Sequence, residues 1–177
     1  MPIRSPLRAG VLFLFVALVT LATDLWTKHW AESLAGPRAA VDGFARFVLA
    51  HNPGGAGSIL HDAPEAVRLP LFILVTLAAL GVLVAIYLRT PGTAARLGIA
   101  LVAGGAIGNL VDRLRYGYVI DFIDLSARWR GSERHWPTFN VADVAICAGV
   151  GLLLLGSAAS RWGPGERRAP PGAPRGH

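Results

Sequence analysis

Residues 69 to 88 read LPLFILVTLAALGVLVAIYL, 20 consecutive positions without an Asp, Glu, Lys, Arg or His. At about 1.5 Å of rise per residue, this run alone crosses the roughly 30 Å of a bilayer's hydrocarbon core. Working outward, Ala9 to Thr23, Leu97 to Val111 and Val144 to Ser160 are uncharged over 15, 15 and 17 residues. These three reach spanning length only by taking in polar residues: Asp24 and Lys28 in the first, Asp112 in the second, Asn140 and Asp143 in the third. The chain therefore reads as an integral membrane, mainly α protein, a four-transmembrane-helix bundle with spans at about residues 9–30, 68–88, 96–112 and 140–161. Residues 1–162 form a single membrane-embedded domain. The 163–177 tail, rich in Pro, Gly and Arg, cannot build a core and reads as a disordered cytoplasmic tail.

Composition agrees. Of 177 residues, 53% are hydrophobic and only 16% charged, where a soluble domain carries about a quarter charged residues. Arg4 and Arg8 before the first apolar run suggest a signal peptide. No small-x-small cleavage site leads into a soluble domain and further spans follow, so the run reads as a retained signal anchor. Cys147 is the single cysteine, which excludes an intrachain disulfide. The formal charge of +6 rests almost wholly on arginine. Those arginines are dispersed between spans and not interleaved with stacking aromatics, which argues against nucleic acid. Eight fall in the two tails and the 89–96 turn, and eight in the longer loops. The first set is the denser, so both termini are placed in the cytoplasm.

Four antiparallel crossings bring Asp24, Asp112 and Asp143 to similar depth at one face, whichever way up the protein sits. The 51–60 and 113–139 loops open onto that face, and the opposite side holds a single acid, Glu166. Intramembrane carboxylates cost about 2.5 to 3.5 kcal/mol each on insertion scales, which makes each a candidate functional group. Plainer roles exist for all of them. Asp24 and Lys28, one turn apart, could simply neutralise each other. Asp112, Arg113 and Asn109 could tie down a helix end, and Gly104 with Gly108 makes a small-xxx-small packing face. The YGYVIDFIDL run at 116–125 reads as a short strand. Alternation puts Asp121 on one of its faces and Asp124 on the other, without saying which meets the bundle.

These residues carry a family likeness. GGAIGNLVDRLRYGYVIDFIDL at 104–125, followed by FNVADVAICAGV at 139–150, resembles the lipoprotein signal peptidase (signal peptidase II) family, the aspartic proteases of bacterial inner membranes. DLWTK at 24–28 resembles that family's first-span Asp and Lys, and HNPGGAGSIL at 51–60 its extracytoplasmic Asn-x-Gly motif. The resemblance implies Asp121 and Asp143 as the catalytic dyad, with Asn52, Gly54, Asn109, Asp112, Arg113, Asn140, Asp24 and Lys28 binding substrate or bracing the site. It also implies a small extracytoplasmic β-sheet, no cofactor, and cleavage of prolipoproteins just before a diacylglyceryl-modified cysteine by a monomer working among membrane lipids. Pro53, Gly55 and Gly57 depart from the family pattern in the first loop.

The chemistry suits such a pair. Two close carboxyls do not readily both ionise, so one serves as general base toward water while the other, protonated, polarises the scissile carbonyl. Three rivals remain on sequence grounds. A Ser58–Lys28 peptidase needs a neutral lysine, which Asp24 opposes. Metal hydrolysis lacks paired histidines, since His29, His51, His61 and His135 stand singly. A proton- or cation-coupled transporter needs acids along the bilayer depth, and here they gather at one face.

Overall fold

The computed structural model describes residues 6–54, 63–90 and 92–161. Ser58, His61, Gly55, Gly57 and the 163–177 tail lie outside them. The chain runs α1 (Pro6–Glu32), β1 (Arg38–Val41), β2 (Ala45–Asn52), α2 (Glu65–Arg89), α3 (Thr93–Tyr116), β3 (Val119–Trp129), β4 (Ser132–His135) and α4 (Val141–Arg161). Helices α1, α2 and α3 are each long and apolar enough to cross a membrane, and α4 is a further apolar helix. The fold is thus mainly helical with a four-stranded antiparallel sheet in the order β1-β2-β3-β4.

Helix α3 is the centre of the bundle, touching α1, α2 and α4. Its inner faces are cut small. A Cβ placed on Gly98 would lie 2.6 Å from the Gly149 carbonyl oxygen, and one on Gly149 would lie 2.5 Å from that of Gly98. In lipid, where the hydrophobic effect does not drive helices together, such backbone contact is what close packing supplies. The pairing sits at α3–α4. The Gly104 and Gly108 face expected from the sequence packs on α1 instead, against Ala17 and Asp24. A Gly149→Ala change should cost about 1–3 kcal/mol, as overpacking does. Gly151→Ala, which meets nothing within 4 Å, should leave the thermal midpoint in detergent unmoved.

Helix α2 buries no residue. Leu74 and Leu88 are 65% and 76% exposed, a surface that water would penalise and acyl chains would not.

The expected 116–125 strand is shifted. Helix α3 runs on through Tyr116 and is stopped by Gly117 at φ 79°, a left-handed helix end that glycine adopts without a steric cost. The strand then begins at Val119 and continues to Trp129, turning through Arg130 (φ 51°) and Gly131 (φ 80°) into β4. Positive φ at both central residues is the type I′ hairpin geometry, whose twist matches the paired strands. What read as loop out to Phe139 is therefore largely a hairpin.

Candidate active site

The last residue of β2, the start of β3, the C-terminal end of α3 and the first turn of α4 converge at one end of the bundle. Asp121 on β3 is 1% exposed. Its Oδ2 accepts from Asn52 Nδ2 at 2.9 Å, and its Oδ1 from Asn140 Nδ2 at 2.8 Å. Asn52 is carried there by β2, which pairs it with Val119. The Asn52 Oδ1 also accepts from Gly54 N at 3.0 Å, an Asx turn that sets the chain's direction as it leaves the strand.

Asn140 is the N-cap of α4 and is fully buried. Its Oδ1 accepts from Asp143 N at 2.9 Å, and Asp143 Oδ2 accepts from Asn140 N at 3.3 Å. This is a capping box, with Asp143 as its third-position acid. The other carboxylate oxygen, Asp143 Oδ1, accepts from Asn109 Nδ2 at 2.9 Å, while Asn140 Nδ2 also lies 3.1 Å from Asn109 Oδ1. Two amides therefore join the two acids. An N-cap amide that satisfies Asp143 through its oxygen and Asp121 through its nitrogen ties the start of a helix to the start of a strand.

Behind them lies a charge cluster. Lys28 Nζ donates to Asn109 Oδ1 at 2.9 Å and forms ion pairs with Asp24 Oδ2 and Asp112 Oδ2, each at 2.8 Å. Both carboxylates also grip main chain: Asp24 Oδ1 accepts from Ala142 N at 2.9 Å and Asp112 Oδ2 from Ile120 N at 3.1 Å. Ala142 and Ile120 immediately precede Asp143 and Asp121. The mutual neutralisation expected of Asp24 and Lys28 is present, but it is part of an anchor that joins α1, α3, α4 and β3. Gly108 is needed for it, since a Cβ there would run into the Asp24 carboxylate.

Arg113 closes one side. Its guanidinium donates to Asn109 O at 3.4 Å and Gly54 O at 3.5 Å and sits 4.8 Å from the centre of the Phe72 ring, joining α3 to α2 and the chain beyond β2.

All ten site residues expected from the sequence thus meet at one end. Asp124, the alternative acid on β3, is turned elsewhere. Burial pushes its carboxyl up, but bonds from Arg46 Nε and from His135 Nδ1 at 3.0 Å outweigh that and hold it below the usual carboxylate range. The main-chain donors of Ile120 and Ala142 and the ring of Phe72 had no side-chain pattern to announce them. Asp121 and Asp143 do not line the roughly 160 Å³ cavity beside Lys28, which lies between Leu25, His29, Arg115 and Tyr116. Among the described residues no three of His, Cys, Asp and Glu converge so as to hold a metal ion.

Asp121 is pushed up to about 6, first by burial and then by the negative charge of Asp143, against the lowering effect of the Asn52 and Asn140 bonds. A raised folded-state value means the folded protein holds this proton more tightly than the unfolded chain. Stability should then fall as pH rises from about 4 to about 6, a slope that Asp121→Asn would remove in a detergent unfolding series. A reaction that needs one proton on the pair should lose kcat/KM as pH rises through the pair's upper apparent value.

The profile of a family described as signal peptidase (SPase) II matches residues 16–159. A protein of Geobacter sulfurreducens named lipoprotein signal peptidase is 47% identical over 149 residues, 81% of this chain and 89% of that one. A Syntrophotalea carbinolica protein of the same name is 40% identical over 161 residues, 88% of this chain and 94% of that one. In fold, the chain is similar to a solved bacterial membrane enzyme with a TM-score of 0.75 at 23% identity, over 89% of this chain and 93% of that one.

Proposed function

Because the chain belongs to the signal peptidase II family of bacterial inner-membrane aspartic proteases, we propose that it removes the signal peptide from prolipoproteins. The cut falls just before a diacylglyceryl-modified cysteine, with Asp121 and Asp143 as the catalytic dyad. The observation that carries this reading is the amide bridge. The side-chain amides of Asn109 and Asn140 donate to one carboxylate each and are bonded to each other, so two acids 22 residues apart in sequence share one polar cluster.

In this mechanism one proton is shared by the pair. The ionised carboxyl takes a proton from water as the water attacks the scissile carbonyl carbon. The protonated one donates to the carbonyl oxygen, and collapse of the tetrahedral intermediate passes a proton to the leaving amine. Asn52, Asn109 and Asn140 donate to the carboxylate oxygens of the pair and hold both side chains in place. Asp24, Lys28 and Asp112 fix the backbones that carry the dyad, and Arg113 with Gly54 holds the loop beside it.

All four helices are read as crossing the inner membrane, with both termini cytoplasmic, the dyad near the extracytoplasmic face and residues 1–162 acting as one monomeric unit. A site at that depth suits a substrate anchored by its own acyl chains, each buried methylene being worth about 0.8 kcal/mol. The lipid then supplies binding and places the peptide bond.

The test is incubation of the purified protein in detergent with a diacylated prolipoprotein and with the same precursor left unmodified. Cleavage directly before the modified cysteine, at least a hundredfold faster for the diacylated form, is expected on the binding term. Equal rates for both precursors, or a cut elsewhere, would defeat the reading.

A further inference from the structure

The β3–β4 hairpin reaches well beyond the bundle. From Asp121 to Trp129 is eight residues, roughly 26 Å of strand against a helix about 10 Å across. Beyond Ser126 every hairpin side chain is exposed. The register separates two faces. Ser126 opposite His135 and Arg128 opposite Glu133 lie on one, where Asp124, His135 and Glu133 are already linked to each other. Ala127 opposite Arg134 and Trp129 opposite Ser132 lie on the other, and Trp136, bonded through its N to Leu125 O, extends it.

From Leu125 outward this second face holds no acid. Trp129 and Trp136 are 68% and 69% exposed, with Arg134 between them in the register. Three arginines within seven residues, Arg128, Arg130 and Arg134, also run against the usual scarcity of positive charge on the extracytoplasmic side. They are not explained by topology. Arginine pairs with phosphate through a planar fork, and tryptophan sits by preference at headgroup depth, apolar ring inward and N–H toward water.

Building on the topology proposed above, we infer that the Trp129–Arg134–Trp136 face of the hairpin rests on the outer-leaflet surface and binds anionic phospholipid headgroups. The contact sets the height of β3, and with it the depth of Asp121 relative to a lipid-anchored substrate. A basic residue at an anionic surface changes the docked-to-free ratio about fivefold.

Adjacent residues on opposite faces provide the test. In a Cys147→Ala background, a spin label is placed at Ser132→Cys or at Glu133→Cys, and the full chain is put into nanodiscs of phosphatidylcholine with or without phosphatidylglycerol. With phosphatidylglycerol, the label at 132 should be shielded from a water-soluble relaxant and the label at 133 should stay wet. Omitting the anionic lipid, or adding Arg134→Gln, should lower the shielding ratio about fivefold, and Trp129→Ala should lower it as well. The inference is overturned if both labels are equally wet, if shielding at 132 ignores lipid charge, or if it arises only when prolipoprotein is added, which would make this face a peptide surface. Discs that shield residue 132 but cut no diacylated prolipoprotein would defeat the peptidase reading and leave the hairpin contact standing.

Discussion

Asp143→Asn and Asp121→Asn are each expected to lower kcat on a diacylated prolipoprotein by 10³-fold or more, with the folded protein retained. Positioned general acid–base groups are worth about 10² to 10⁴ in rate. Here each acid is proposed to do both jobs in turn, so neither substitution leaves a partial pathway. Retention of the fold follows from the geometry. Asparagine has the shape of aspartate, and at residue 121 one oxygen remains to accept from Asn52 or Asn140. The new amide nitrogen faces the other donor, at a cost of about 1–3 kcal/mol. Asp124→Asn is the matched control, three residues along the same strand and bonded to Arg46 and His135 instead. It should cut at the wild-type rate. Wild-type turnover by Asp143→Asn, or loss in Asp124→Asn equal to that in Asp121→Asn, would refute the assignment of the dyad.

Lys28→Met should be the most destabilising single change in the bundle, by about 3–5 kcal/mol, because it leaves Asp24 and Asp112 buried beside each other with their counter-ion gone. The damage would not stay local, since those carboxylates hold Ala142 N and Ile120 N. Lys28→Arg should not restore the protein, because a planar fork does not match three acceptors arranged about one ammonium. Adding Asp24→Asn and Asp112→Asn to Lys28→Met should recover part of the loss by removing the stranded charge. Thermal unfolding in detergent reads the ranking. An unchanged midpoint in Lys28→Met would mean the cluster carries no stability.

Much of the site was legible because its residue types are conspicuous where they stand. An aspartate or lysine at the edge of an apolar run is costly in lipid and so marks itself, as Asp24, Lys28, Asp112 and Asp143 did. Asn109 and Asn140 were visible through their helical spacing to Asp112 and Asp143. The choice between Asp121 and Asp124 was not open to periodicity, which separates the faces of a strand without saying what lies over either. Arg46 and His135 decided it by taking Asp124.

Glycines were half read. Gly104 and Gly108 have the i, i+4 spacing that marks a small face, but Gly98 and Gly149 lie on different helices, and only the crossing point of α3 and α4 makes them partners. The strand boundaries were misplaced for a related reason. Tyr116 and Tyr118 are good strand residues, and helix α3, already propagating and packed, carries the first of them until Gly117 ends it.

By itself the amino-acid order determined that the chain is a helical membrane protein with its acids collected at one end, since lipid taxes every charge according to its depth and that depth follows from counting residues. Tertiary structure decided which acids share one polar cluster and what holds them. The Ala142 and Ile120 N–H groups are common to every residue but proline, so nothing in their side chains could mark them, and their pairing with Asp24 and Asp112 exists only once three helices and a strand have met.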